Sequence, residues 1–164
     1  MFEVQKVAIS TAAYKAITIP IAGSLGAIFA GWISDRLFRS RRALVAVIML
    51  VMLGLFVWIF PRIPIDKWLF GLFCLLAIGF MTYGPHVLMV GTVAMDFGTR
   101  KAAAAGFIDC FGYIGAALTG IGSGLLIDKY SWNAAFYFWI AGAFIAAILM
   151  ALLWNYKPVK SKYY

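Results

Sequence analysis

GWISDRLFRSRR, residues 31–42, separates two long apolar runs. The run before it begins near Val7, and the run after it opens at Ala43. Between them stand Asp35, Arg36, Arg39, Arg41 and Arg42, the densest charge in the chain. A helix crosses the hydrocarbon core with about 20 apolar residues. Short charged joints between two such runs mark membrane hairpins, and Lys and Arg hold those joints on the cytoplasmic side. The stretch therefore reads as a topology anchor between two spanning helices.

The remainder of the chain agrees. Of its 164 residues, 65% are hydrophobic and 12% charged, with mean hydropathy +0.95. Soluble domains carry about 25% charged residues, and a soluble chain of this length could not bury so much apolar surface. Five segments are long enough to span: Val7–Gly31, Ala43–Phe60, Trp68–Ala94, Ala102–Ile127 and Trp132–Trp154. They are too long for barrel strands and lack alternation of period two. The fold class is an all-α integral membrane bundle of five transmembrane helices. Trp68, Trp132, Trp154, Tyr130 and Tyr156 fall near segment ends, where amphipathic rings favour the headgroup layer. Ser131 is placed to cap the fifth helix. The net charge of +8 lies in loops and tail, which points to membrane orientation and away from nucleic acid. Cys74 and Cys110 both lie in apolar runs and read as reduced core residues. Met1–Lys6 carries Glu3 and no charged leader into a short apolar core, so no cleavable signal peptide is expected there.

Five spans alternate the loops between two sides. Arg36, Arg39, Arg41, Arg42, Arg100, Lys101, Lys157, Lys160 and Lys162 share one side. Lys6, Arg62, Lys67 and Lys129 share the other. The richer side is expected to be cytoplasmic, with the C-terminus inside and Met1 outside. An odd number of spans with an outside start suggests a further helix before Met1.

Several residues stand out for chemistry. Gly23, Ala27 and Gly31 recur every four residues, a ridge that admits a neighbouring backbone. Asp35, at the end of that helix, can accept from the next helix start or pair with an arginine. Asp109 lies well inside the fourth span, with Tyr113 one turn on and Gly112, Ala116, Gly120 and Gly124 forming a second ridge. Intramembrane acids usually face the bundle interior or a water-filled cavity. Asp109 is therefore either a cavity-lining group or an interhelical hydrogen-bond partner. Tyr83-Gly84-Pro85-His86 sits mid-span, where Pro85 removes a helical hydrogen bond and predicts a kink. Tyr83 either offers its hydroxyl to a cavity or satisfies a neighbouring carbonyl, and His86 is either structural or a cavity group. Lys15 either snorkels to the interface or lines an anion path. No His or Cys cluster has metal-ligand spacing.

The pattern Gly31, Asp35, Arg36, Arg39 resembles the G-x-x-x-D-R-x-x-R loop signature of the major facilitator superfamily. There it joins the second and third helices of each six-helix half and forms a breakable latch at the cytoplasmic face. YGP at 83–85, DFGTRK at 96–101, AAGFIDCFGYIGAAL at 104–118 and LLIDKYSWNAAFYFWI at 125–140 look like the organophosphate:phosphate antiporter family, nearest its sugar-phosphate exchanger branch. The resemblance covers nearly the whole chain and implies helices 8–12 of a twelve-helix transporter, residues 1–164 being part of a C-terminal domain. Pro20 stands where the family usually has an acid, and Lys101 reaches Gly106 through fewer residues than in the family. The family's phosphate-binding arginines lie on its first and seventh helices, outside this stretch.

The resemblance implies exchange of a phosphorylated sugar or glycerol phosphate for inorganic phosphate by alternating access. It implies Gly31, Asp35, Arg36 and Arg39 as latch residues, and substrate contact for Tyr83. An N-terminal half of the transporter would be the protein partner, with membrane lipid around both and no cofactor. No covalent chemistry is implied, so no enzyme is expected. The expected location is the bacterial inner membrane. A transporter-like sensor of sugar phosphate and an inactive truncated product remain alternatives.

Overall fold

The computed structural model describes residues 9–38, 42–64, 66–93 and 100–153, with side chains from residue 17 in the first helix and up to residue 91 in the third. The described residues form five long helices and no strands. They are α1 (Ile9–Arg36), α2 (Arg42–Ile59), α3 (Trp68–Val87), α4 (Lys101–Lys129) and α5 (Trp132–Leu152). All five are long and apolar enough to cross a membrane. In lipid every backbone polar group must be satisfied within its own segment, which is why these apolar runs become helices.

The helix ends follow local chemistry. α1 runs on to Arg36, five residues past Gly31, so Asp35 and Arg36 occupy its last turn and not the loop. α2 closes in a 3-10 turn, Phe60–Arg62, because Pro61 lacks an amide hydrogen to continue the ladder. There the Arg62 guanidinium donates to the Trp58 carbonyl and stacks 3.9 Å from the Trp58 ring centroid. α3 contains Pro85 and passes into a π-helical segment, Leu88–Val93. A proline and a π-helical stretch both disturb the i→i−4 ladder, so the kink expected at Pro85 has its local cause here. Ser131 stands at the N-cap of α5 in extended conformation, yet its hydroxyl makes no capping bond. Its carbonyl instead accepts from the Ala134 amide at 3.1 Å, so backbone turn geometry supplies that end.

Packing is closest between α1 and α3, then between α2 and α5, with α3 also against α2. One core cluster is Ala30, Val45, Ala46, Met49 and Leu88; another is Val57, Phe60, Cys74, Leu75 and Phe136. Small residues set the α1–α3 approach. A Cβ on Gly26 would stand 2.7 Å from the Phe80 Cα, and one on Gly79 would stand 2.9 Å from the Ile19 Cα. The two backbones thus lie in mutual contact through a glycine on each side, the small-residue solution to packing in lipid. The contact face of α1 is Ala22, Gly23, Gly26 and Ala30. The ridge expected at Gly23, Ala27 and Gly31 is therefore corrected: Gly31 has nothing within 4 Å of its Cβ position. A spacing of four overshoots the 3.6-residue turn, so a long ridge rotates off the interface.

α4 is the least covered helix. Its one buried residue is Ser123, which accepts a 2.8 Å hydrogen bond from Trp139 Nε1 of α5. Gly112, Gly120 and Gly124 have no neighbour within 4 Å of a Cβ position, so the second expected ridge meets no helix among the described residues. Cys74 is buried and donates to the Phe56 carbonyl at 3.3 Å, but Cys110, on α4, is exposed, against the expectation of two core cysteines. In detergent, N-ethylmaleimide is expected to modify Cys110 at least about tenfold faster than Cys74, since thiol reactivity requires access. Peptide mass mapping reads the rates, and equal rates would contradict this packing.

Candidate functional site

The described residues form an open cleft of about 450 Å³ between α3 and α4. Thr82, Tyr83 and His86 line it from α3; Asp109, Gly112, Tyr113 and Ala116 line it from α4. Both sets follow helical geometry. Residues 82 and 86 are one turn apart, as are 109 and 113, with 112 and 116 on the same face. Four residues singled out in the sequence, Tyr83, His86, Asp109 and Tyr113, thus meet in one place.

The glycines of α4 have a clear role here. Gly112 and Ala116 contribute no bulk, so the cleft stays open where a larger residue would fill it. Asp109 is eight residues into α4, about 12 Å from its start at 1.5 Å per residue. His86 Nε2 lies 3.8 Å from Asp109 Oδ1, with the two side chains 58% and 39% exposed. That separation is too long for a direct hydrogen bond, so the pair is electrostatic and open to a third group. Thr82 spends its proton on the Ile78 carbonyl at 2.7 Å, leaving its oxygen as an acceptor. The Tyr83 ring rests on Gly23 of α1: a Cβ there would come within 2.5 Å of the ring. Gly23 thereby lets Tyr83 lie against α1 with its ring 39% exposed.

The site chemistry is mixed. It offers one carboxylate, one imidazole, two phenol hydroxyls and one threonine oxygen, with apolar ring faces beside them. Among the described residues no Lys or Arg lines the cleft. Thr82 was not singled out in the sequence, although its place one turn before His86 was available as a signal.

Gly31, Asp35 and Arg36, to which the resemblance assigns a latch, do not line this cleft. Gly31 and the exposed Asp35 and Arg36 occupy the last part of α1. Beside them Ser34 is buried, with no hydrogen-bond partner for its hydroxyl. Arg39, residues 96–99 and the basic tail lie outside the described residues, as does the Lys15 side chain.

Comparison with known proteins places the chain. The sequence model of the Major Facilitator Superfamily matches residues 4–163. The chain is 39% identical over 137 residues to the glycerol-3-phosphate transporter of Bacillus subtilis (strain 168), covering 82% of this chain and 31% of that protein. It is 34% identical over 148 residues to the probable hexose phosphate transport protein of Chlamydia trachomatis serovar D, covering 82% and 30%. It is 31% identical over 152 residues to the membrane sensor protein UhpC of Escherichia coli (strain K12), covering 92% and 34%. The chain spans about a third of the length of these curated relatives. No solved structure matches it.

Proposed function

This chain belongs to the Major Facilitator Superfamily, and from that premise we propose that the protein carrying it exchanges a phosphorylated sugar or glycerol phosphate for inorganic phosphate. These residues supply helices 8–12 of that transporter, and the N-terminal half and the seventh helix complete it. The observation that carries the reading is the α3–α4 cleft, polar in the middle of apolar spans. It occurs in a chain whose relatives are named for glycerol-3-phosphate and hexose phosphate. Polar and ionisable residues at membrane depth are costly and mark transport paths.

The mechanism is alternating access, with cargo held near the midplane between two halves that rock. Proline-bearing α3 and lightly packed α4 frame one wall of the path. At the cytoplasmic end, Asp35 and Arg36, with Arg39, hold a latch that forms in one state and breaks in the other. The membrane is the bacterial inner membrane, with the Arg-rich loop and C-terminus facing the cytoplasm. Expression of the complete transporter in cells lacking uptake of hexose phosphate and glycerol phosphate tests the reading: growth on glucose 6-phosphate or glycerol 3-phosphate is expected, and growth on neither despite membrane insertion would count against a carrier.

A latch acts on state exchange and not on cargo contact. Asp35→Asn in the complete transporter is expected to slow turnover about tenfold, the rate effect of losing one charge-assisted bond, with cargo affinity changed less than about twofold. Equal turnover in the mutant would remove Asp35 from the latch.

The resemblance to the sensor protein favours one second reading, a membrane receptor for sugar phosphate. It is distinguished by ligand binding without uptake.

A further inference from the structure

We propose that His86 and Asp109 form a subsite for a hydroxyl group, so that this cleft holds the polyol part of an organic phosphate and leaves its phosphate to other helices of the transporter. The inference rests on the transport reading above and deepens it by naming the part of the cargo recognised here.

The argument starts from the 3.8 Å gap between His86 Nε2 and Asp109 Oδ1. It is too wide for a direct hydrogen bond and narrow enough for one small group to reach both, at about 2.8 Å each. The group must accept from the imidazole N–H and donate to the carboxylate. A hydroxyl does both. A phosphate oxygen of a dianion only accepts, so it can serve His86 but not Asp109, whose charge repels it. Among the described residues no Lys or Arg lines the cleft to offset that repulsion.

The surroundings fit a polyol. The Thr82 proton is committed to Ile78, so its oxygen faces a ligand as an acceptor. Tyr83 and Tyr113, the other titratable groups lining the cleft, offer hydroxyls that both donate and accept, and Tyr113 is 75% exposed. Their rings supply apolar faces for a carbon skeleton. The volume of about 450 Å³ falls in the range of small-molecule sites, roughly 300–1,000 Å³. Gly112 and Ala116 keep the floor clear. Inorganic phosphate brings no polyol, and its own P–OH comes with a net negative charge that Asp109 repels. The pair is therefore a specificity determinant between the two cargoes.

The test uses the complete transporter, purified and reconstituted. Glucose 6-phosphate and inorganic phosphate are each measured as inhibitors of phosphate exchange, and each as a stabiliser against thermal unfolding in detergent. Asp109→Asn is expected to lower the preference for glucose 6-phosphate over phosphate about tenfold, the effect of losing a hydrogen bond to a charged group. Glucose 6-phosphate is expected to lose most of its thermal stabilisation while phosphate keeps its own. His86→Phe, which keeps a ring but removes the donor, is a second variant with the same expected split, should Asp109→Asn fail to assemble. A preference unchanged in both variants, with both ligands weakened alike, would reduce the pair to a packing role. A larger loss for phosphate than for glucose 6-phosphate would make it a phosphate subsite. Both results overturn the proposal. A wild type that exchanges nothing, yet is stabilised by glucose 6-phosphate in a manner dependent on Asp109, would sink the transport reading and keep the subsite. A wild type stabilised by neither ligand would overturn the subsite as well.

Discussion

Gly26→Ala is expected to destabilise the helix bundle by about 1–3 kcal/mol, although it adds one carbon to a helix interior. Alanine is the better helix former by about 1 kcal/mol, so the intrinsic term favours the mutant. The packing term opposes it and wins. The added Cβ would meet the backbone of Phe80, 2.7 Å from its Cα, and backbone cannot rotate away as a side chain can. The α1–α3 contact must open, and Gly79 against Ile19 opens with it. Gly31→Ala is the matched control: nothing lies within 4 Å of its Cβ position, so it is expected to be neutral or slightly stabilising. Thermal unfolding of the detergent-solubilised complete protein compares the two. Equal destabilisation by both would contradict the interface assigned here.

The second large effect is a complete loss. Residues 1–164 reconstituted alone are expected to catalyse no exchange of phosphate above empty vesicles. Alternating access needs two bodies that rock about a shared cargo site, and these five helices provide part of one. α4 makes the point physically. Phe107, Phe111, Tyr113, Ile114, Leu118 and Ile121 are all exposed on it, and its small-residue ridge meets no helix among the described residues. The cleft it shares with α3 is open. Saturable exchange of phosphate, stimulated by sugar phosphate, in vesicles holding this chain alone would refute the prediction.

Much of this architecture is legible in the residues, for a physical reason. A bilayer imposes one length and one polarity on every span, so hydropathy alone locates five helices, and proline and charge mark their joints. What is not legible is which face of each helix meets which neighbour. Gly23, Ala27 and Gly31 look like one ridge in the sequence, but only Gly23 shares the contact face, with Gly26 replacing the others. The choice between them depends on where α3 lies, and nothing local to α1 encodes that. The same holds for the cysteines: apolar surroundings in sequence bury Cys74 but leave Cys110 on the uncovered side of α4. Ser131 has the right residue type for a cap, yet its hydroxyl makes no capping bond.

The candidate site shows a similar division. Tyr83, His86, Asp109 and Tyr113 are each conspicuous in sequence as polar groups in apolar spans. Their convergence is not, because 22 residues lie between His86 and Asp109 in the sequence. Only the packing of α4 beside the π-helical end of α3 brings the two within 3.8 Å. Thr82 is missed for the opposite reason: a lone threonine in a helix usually serves its own backbone, and this one does donate to Ile78. Its value lies in the acceptor it leaves over.

The activity proposed for the protein carrying this chain is exchange of organic phosphate for inorganic phosphate. The most direct measurement is counterflow: the complete transporter in vesicles loaded with labelled phosphate, with glucose 6-phosphate or glycerol 3-phosphate added outside. Label is expected to leave only when an organic phosphate or unlabelled phosphate is present outside, and with organic phosphate outside its uptake is expected to accompany the efflux of label. Label that stays inside under all conditions, or efflux that proceeds at the same rate without external cargo, would contradict it.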